Sequence, residues 1–266
     1  MSIKNEINND LGAELYDQHE TQENDVKFIL SLIGEQPKKV LETCCGSGRI
    51  LVPLAKAGHD VTGFDADESM MGRIPKKAKG LDNIRWHKAD AVYDDWGTGY
   101  DVVVLAGNIL FNIVSGMEYK KAQGLFIKKA ATALMPGGHV YVGYSPWAPN
   151  GRTLTKPGQS CEDDGSIVWS WEGTDDDGNY EKDAVTAGSF DEETGILKYK
   201  RIFEQRLADG RVIKKEDEAI KHYATLAQLH GWLSDAGFEI ELECEDFDKG
   251  PITDKSCEVI IYARKI

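Results

Sequence analysis

The chain has 266 residues, and its 45 acidic against 31 basic side chains give a formal net charge of −14. So acidic a surface repels phosphate backbones and excludes nucleic acid as the expected partner. No run approaches the roughly 20 apolar residues of a membrane span, and five cysteines (Cys44, Cys45, Cys161, Cys244, Cys257) are too odd and sparse a set for a disulfide framework.

The opening MSIKNEINND lacks the apolar heart of a signal peptide, so a soluble, cytoplasmic protein with no membrane partner is expected. Further on, Val26, Phe28, Ile29, Leu30, Leu32 and Ile33 mark roughly one helical face, ended by Gly34 and Pro37. Strands and helices then alternate. KKVLET reads as a strand, and GRILVPLAKAG as a helix ending at Gly58. DVTGFD is a strand, followed by a helix from ADESMMGRI. NIRWHKAD and the strongly apolar YDVVVLAG are strands. EYKKAQGLFIKKAATALM is an amphipathic helix closed by Pro136, Gly137 and Gly138, and HVYVGY is a further strand. This alternation implies crossover units and an α/β fold with a parallel sheet buried on both faces.

The texture changes after Tyr144. SPWAPNGRTLTKPGQS is rich in loop formers. From about Ser166 four stretches read as strands: SIVWSWEG, DAVTAGSF, GILKYKRIFEQRL and RVIKKEDEAIKHYA. The last two flank ADG, a hairpin signal, and Lys198, Lys200, Arg206 and Lys214 fall on polar faces. An antiparallel insertion of about four strands is expected. TLAQLHGWLSDAG is then a helix with Thr225 as cap and Gly237 as stop, and FEIELECE and CEVIIYARKI are strands that can return to the main sheet. The chain thus divides into residues 1–147 with 225–266, and an inserted β lid over 148–224.

VLETCCGSGRI poses the chemical question. Adjacent cysteines match neither C-x-x-C nor the separated pairs of zinc sites, and the histidines do not cluster with them, so no metal is expected. A tight turn explains them better. It follows an apolar strand and opens a helix, and Gly46 and Gly48 permit backbone angles that other residues avoid. In an open parallel sheet such a loop lies where ligands bind. A dinucleotide loop reads G-x-G-x-x-G, which is absent, and this disfavours a nicotinamide enzyme. Glu42 at the strand end repels a diphosphate and favours a cation.

VLETCCGSGR resembles the first motif of class I S-adenosylmethionine-dependent methyltransferases, an acid followed by G-x-G-x-G, with Cys44 where that family usually has glycine. Three further motifs resemble the family in order. VTGFDADESMM ends a strand in Asp65, 23 residues after Glu42. The resemblance implies that Asp65 meets the ribose, while Asp67 caps the next helix and Met70 lies on adenine or in the core. HKADAV resembles the adenine turn, with Asp90 and Ala91. YDVVVLAGN resembles the fourth motif, whose strand end at Leu105 lies under the transferred methyl. The implied cofactor is S-adenosyl-L-methionine, with S-adenosyl-L-homocysteine as product. Its implied contacts are Tyr16, Glu42, Thr43, Cys44, Gly46, Gly48, Arg49, Asp65, Ala66, Met70, Asp90, Ala91 and Leu105. The implied fold is a Rossmann-like seven-stranded, mostly parallel sheet of order 3-2-1-4-5-7-6 with an inserted antiparallel lid.

AELYD and GNILFNI, with the late insertion, resemble small-molecule N-methyltransferases, the branch of glycine N-methyltransferase and the antibiotic amino-sugar N,N-dimethyltransferases. The resemblance implies methylation of a small polar metabolite, most simply at an amine nitrogen. O-methylation, or cofactor binding without catalysis, stands as the alternative. Tyr16 would approach methyl and acceptor, or else anchor the first helix. Asn112 stands where the sugar enzymes carry His. Asn108 either orients a substrate or forms a turn, and Tyr144 and Trp147 would wall the acceptor pocket or else pack in the core. GYSPW lacks the arginine of the glycine enzyme, which disfavours glycine and leaves Arg152 and Arg201 as distant candidates. Trp169, Trp171, Glu172, Tyr199, Glu204 and His222 offer lid contacts, of which alternation turns about half to solvent. A homodimer is left open.

Overall fold

The computed structural model describes residues 7–145, 165–253, 256 and 258–266. They fall into two compact units, residues 7–21 with 165–221 and residues 22–145 with 222–266. Cys161, Trp147, Arg152 and Cys257 lie outside the described residues.

The chain opens with α1 (Asn9–His19) and α2 (Asn24–Ile33). The first strand, β1 (Lys39–Thr43), leads through the cysteine loop into α3 (Leu51–Lys56) and then β2 (Asp60–Asp65). Two short helices follow, α4 (Glu68–Met71) and α5 (Ile74–Lys77). The sequence suggested one helix here. Pro75 stands at the start of α5, where its missing N–H costs nothing, so the helix breaks and restarts. Next come β3 (Ile84–Lys88), β4 (Tyr100–Leu105), α6 (Ile109–Asn112), α7 (Tyr119–Ala133) and β5 (Leu134–Tyr144). β5 starts before the Pro-Gly-Gly turn. Leu134 pairs with Tyr100, the chain loops out, and pairing resumes at His139 opposite Val102.

The smaller unit's strands are β6 (Ile167–Thr174), β7 (Tyr180–Thr186), β8 (Ser189–Asp191), β9 (Ile196–Arg206) and β10 (Val212–His222). The chain closes with α8 (Leu226–Asp235), β11 (Phe238–Cys244) and β12 (Val259–Lys265). Thr225 caps α8 in a reciprocal capping box with Gln228.

The larger sheet runs β3-β2-β1-β4-β5-β12-β11. Numbered within this sheet alone, that is the expected 3-2-1-4-5-7-6. The first five strands are parallel, and β12 is antiparallel to both β5 and β11. Its interior strands read as apolar runs because both faces are covered: Val40, Leu41, Val103 and Val104 are wholly enclosed. The order reverses between β1 and β4, so their carboxyl ends flank a crevice.

The smaller sheet is antiparallel, in order β10-β9-β7-β6, with β8 paired to β9. It has five strands where about four were expected. DAVTAGSF splits at Gly188, where any Cβ would collide with the carbonyl oxygen of Lys198. α1 packs on this sheet. Leu11, Ala13 and Leu15 are buried, and Gly12 admits the carboxyl of Glu181, which a Cβ would meet at 3.3 Å. Gln205 fixes the start of the helix by accepting from Asn8 N–H at 2.8 Å and donating to Asn8 O at 2.9 Å.

Candidate functional site: the carboxyl edge of the larger sheet

The loop after β1 is a sequence of backbone constraints. Cys44, Gly46 and Gly48 all adopt positive φ (53°, 51° and 78°). Cys44 is the exception chemically, since a side chain in the left-handed region costs about 1–2 kcal/mol. Cys45 N–H donates to Phe64 O at 3.0 Å, and its sulfur lies 2.9 Å from where a Cβ on Gly63 would stand. Cys45 is therefore core packing against β2. Burial, then the negative charges of Asp65 and Glu42, push both thiols far above their ordinary range, so neither is a thiolate nucleophile.

Asp65 clamps this loop. Its Oδ2 accepts from Gly46 N–H and its Oδ1 from Asp67 N–H, both at 2.8 Å. Asp67 caps α4, accepting from Ser69 and Met70 N–H. The methyl of Met70 rests 3.1 Å from a Cβ placed on Gly46. A larger residue at 46 would displace it. Ala66 is exposed beside this turn. Asp90 organises the loop after β3, its Oδ1 accepting from Val92 at 2.8 Å and Tyr93 at 3.1 Å. The carbonyl of Ala91 is taken by Trp96 Nε1 and Lys129 Nζ.

Glu42, the last residue but one of β1, is 4% exposed. Its Oε2 is buried and has no hydrogen-bond partner among the described residues. Burial raises its carboxyl well above the ordinary 4.5, and Arg49 opposes that shift. Arg49 is itself bound to Asp25, with Nη1–Oδ1 at 2.8 Å and Nη2–Oδ2 at 2.5 Å. An orphaned buried carboxyl oxygen beside a glycine-rich loop fits a ligand carrying a cationic donor. An amino-acid tail such as that of S-adenosylmethionine meets this requirement, so the residues present fit the group. Thr43 is buried, its hydroxyl 3.5 Å from Val104 O. Leu105 is wholly enclosed, leaving only backbone for contact.

Across the crevice, Ala106, Gly107 and Asn108 follow β4. Asn108 has φ 55°, and its Oδ1 accepts from Ser145 N–H at 3.1 Å, tying the ends of β4 and β5. These residues line a cavity of about 200 Å³ with Asp25, Tyr141, Tyr144, Phe247 and Glu258. Tyr144 offers its ring only. Its hydroxyl accepts from Ala224 N–H at 2.6 Å and donates to Ala224 O at 3.1 Å. Asn112 is exposed at the end of α6. Asp25, Glu258, Tyr141 and Phe247 were not singled out from sequence; only the fold brings α2, β5 and the turn after β11 together.

The remaining candidates lie in the smaller unit. Tyr16 meets Trp171 edge-on at 6.1 Å, and His19 stacks on the same ring at 5.1 Å. Strand register puts Trp169, Trp171, Tyr199 and Arg201 on the face that carries α1, and Glu172 and Glu204 on the other. Glu204 is bound there by Arg206 and Lys214. His222 belongs to the larger unit and is buried against Gln123, Nδ1 to Oε1 at 2.8 Å, with burial lowering its pKa. It is a packing residue, not a lid contact. Among the described residues, no helix is long and apolar enough to cross a membrane.

Residues 40–138 match the family model described as "Methyltransferase domain". The 23S rRNA (uracil(1939)-C(5))-methyltransferase RlmD of Aeromonas salmonicida is 38% identical over 74 residues, covering 25% of this chain and 17% of that protein. The ubiquinone biosynthesis O-methyltransferase of Acinetobacter baumannii is 29% identical over 108 residues, 39% of this chain and 42% of that one. The chain thus spans less than half the length of these curated relatives. The sugar N-methyltransferase KedS8 from Streptoalloteichus sp is 16% identical with TM-score 0.69, covering 96% of this chain and 93% of that one. At that identity the likeness concerns the fold. The resemblance read from the motifs is borne out over residues 40–138 and in the sheet order.

Proposed function

We propose that this chain, whose residues 40–138 carry a methyltransferase domain, moves a methyl group from S-adenosylmethionine to an amine nitrogen of a small polar metabolite. The observation that carries the amine is the cavity at the ends of β4 and β5. Among the described residues, carboxylates and aromatic rings line it, and no lysine or arginine does. Arg49 offsets Asp25, while Glu258 adds negative charge. Such walls accommodate the positive charge that the nitrogen of a neutral amine gains on alkylation.

When bound, S-adenosylmethionine supplies a methyl carbon made electrophilic by its sulfonium, which an amine lone pair takes as neutral S-adenosylhomocysteine leaves. The chain's own part is placement. Glu42 and the 44–48 loop hold the amino-acid tail, Asp65 the ribose, and Asp90 and Ala91 the base. Alignment of nitrogen and methyl can supply much of the acceleration. Tyr16 and Asn112 position the nitrogen, and the alkylated ammonium loses its N–H proton to water entering the cavity. The insertion over 148–224 selects the acceptor, and residues 1–147 and 225–266 hold the cofactor. The net charge of −14 favours a soluble small molecule over nucleic acid, in the cytoplasm.

The test is a panel of small amines incubated with the full chain, read by release of S-adenosylhomocysteine. N-methylated products are expected. Only O-methylated products would refute the amine. Tight cofactor binding with no turnover on amines or alcohols would refute catalysis.

A further inference from the structure

The loop that carries Asp90 is gripped by a lysine from another element. Lys129 is half-buried on α7, whose Ala122, Phe126, Ile127 and Ala130 are buried. Its Nζ donates to the carbonyls of Ala91 at 3.0 Å, Val92 at 2.8 Å and Asp94 at 2.5 Å. An ammonium has three N–H donors, so these three carbonyls use them all. The cation also lies 5.5 Å from the centre of the Trp96 ring. That ring packs on Phe64 and Phe126, and its Nε1 donates to Ala91 O at 2.9 Å.

Each gripped carbonyl belongs to a planar peptide unit. No peptide bond among the described residues is cis, so the C=O and N–H of one unit point in opposite directions. Ala91 O shares its plane with Val92 N–H, and Val92 O shares the next plane with Tyr93 N–H. These are the two N–H groups that hold Asp90, whose Oδ1 accepts from Val92 at 2.8 Å and Tyr93 at 3.1 Å. Fixing the carbonyl ends of both planes therefore aims their amide ends at the Asp90 carboxylate. The third carbonyl anchors the far end of the loop. There Asp94 Oδ2 accepts from Asp90 N–H at 2.8 Å, and Asp94 N–H donates to Asp90 O at 2.9 Å. Asp90 Oδ2 accepts no hydrogen bond among the described residues. Burial lowers the pKa of Lys129, and the carboxylates of Asp90, Asp94 and Asp95 oppose that shift.

We infer that Lys129 is the positioning residue of the base-binding loop: through two peptide planes it sets the carboxylate of Asp90, and with it the preference for a base that carries an exocyclic amine. A binding group is only as exact as the residues that hold it in place. The inference rests on the proposed contact of Asp90 with the base of the cofactor, and Lys129 acts through the loop without touching the ligand.

The probes are S-adenosylhomocysteine and its purine analogue, which lacks the 6-amino group, titrated into the full chain by calorimetry. The wild type should prefer S-adenosylhomocysteine by about tenfold or more, because a hydrogen bond to a carboxylate is at stake. Lys129→Met should bring that preference below about threefold while both ligands still bind. In an Asp90→Asn background, where the preference is already lost, Lys129→Met should change it no further. Lys128→Met removes the same charge from the exposed neighbouring position and should leave the preference intact. Lys129→Gln keeps an amide NH2 for two of the carbonyls, should fall between, and carries the test if the methionine variant does not fold. A wild-type preference in the Lys129 variants, equal weakening of both ligands, or the same loss in Lys128→Met would each overturn the assignment. Equal binding of the two ligands by the wild type would remove Asp90 from the base and this inference with it. Binding of neither ligand by the wild type would defeat the methyltransferase reading as well, whereas a preference kept in Lys129→Met defeats this inference alone.

Discussion

Glu42 in the larger unit and Glu181 in the smaller are both 4% exposed, and burial raises the carboxyl of each. Their surroundings differ. Glu181 accepts a 2.5 Å hydrogen bond from Gln205, which in turn grips the backbone of Asn8. It is a structural acid that seats α1. Glu42 has an enclosed oxygen with no hydrogen-bond partner among the described residues. A buried acid left unsatisfied is costly to the free protein and is retained where a ligand satisfies it. Depth of burial and shifted pKa are shared, so neither distinguishes the two acids; the oxygen left without a partner among the described residues does.

The strongest way to break this comparison is at Asp65, the loop clamp beside Glu42. Asp65→Ala removes the acceptors for Gly46 and Asp67 N–H as well as the proposed ribose contact. Charge-assisted hydrogen bonds are worth roughly 1.5–3 kcal/mol, so cofactor affinity should fall at least about tenfold and toward a hundredfold. Calorimetry showing wild-type affinity would remove Asp65 and its loop from the site.

A comparable effect, read on turnover alone, is expected at Tyr16. Its ring packs on Trp171, and Tyr16→Phe keeps that packing. Turnover should drop beyond the factor of ten that about 1.4 kcal/mol represents, while melting stays near wild type. If both stay unchanged, Tyr16 only anchors α1, as Glu181 does.

The paired variants Glu42→Gln and Glu181→Gln sharpen the comparison directly. Both carboxyls sit above the ordinary 4.5 in the folded chain. As pH rises from that value, the unfolded chain releases its proton first, so each group's contribution to stability falls until its own raised pKa is passed. Glu42→Gln should remove its share of that loss and stabilise the ligand-free protein above the window. Glu181→Gln should give a smaller gain, since Gln205 already compensates the charge. Cofactor affinity should fall for Glu42→Gln and hold for Glu181→Gln. Thermal melts from pH 4 upward, with and without cofactor, read both, and equal behaviour of the two variants would erase the distinction.

Much of the larger unit was legible because its cues are local. β1 and the glycine loop adjoin in sequence, as do β2 and the cap at Asp67, while the strand order was implied by the family resemblance. What stayed hidden depends on contacts distant in sequence. Asp25 holds Arg49 from another helix, and the hydroxyl of Tyr144 is spent on Ala224. Neither pairing has a local pattern. In the smaller unit, alternation separated the two faces without saying which one α1 covers. Gly12 against Glu181 and Gln205 against Asn8 decide that, and both are tertiary.

Cys44 gives the smallest expected effect and the finest test of the loop. At φ 53° it occupies a conformation that costs a side chain about 1–2 kcal/mol and costs glycine nothing. Glycine also frees the unfolded chain, returning about 0.4–1 kcal/mol of that gain. Cys44→Gly should therefore stabilise the protein by between zero and about 1.6 kcal/mol. Cys44→Ala keeps the Cβ and should gain nothing. Cofactor affinity should hold or improve in the glycine variant, because the Gly46 clamp to Asp65 relaxes without losing a donor. The thiol stays protonated, with burial and the charges of Asp65, Glu42 and Asp90 all opposing ionisation, so activity should not depend on it. Loss of turnover in both variants at unchanged cofactor affinity would mean that the sulfur takes part in the chemistry. The adjacent pair of cysteines would then be more than the small residues of a tight turn.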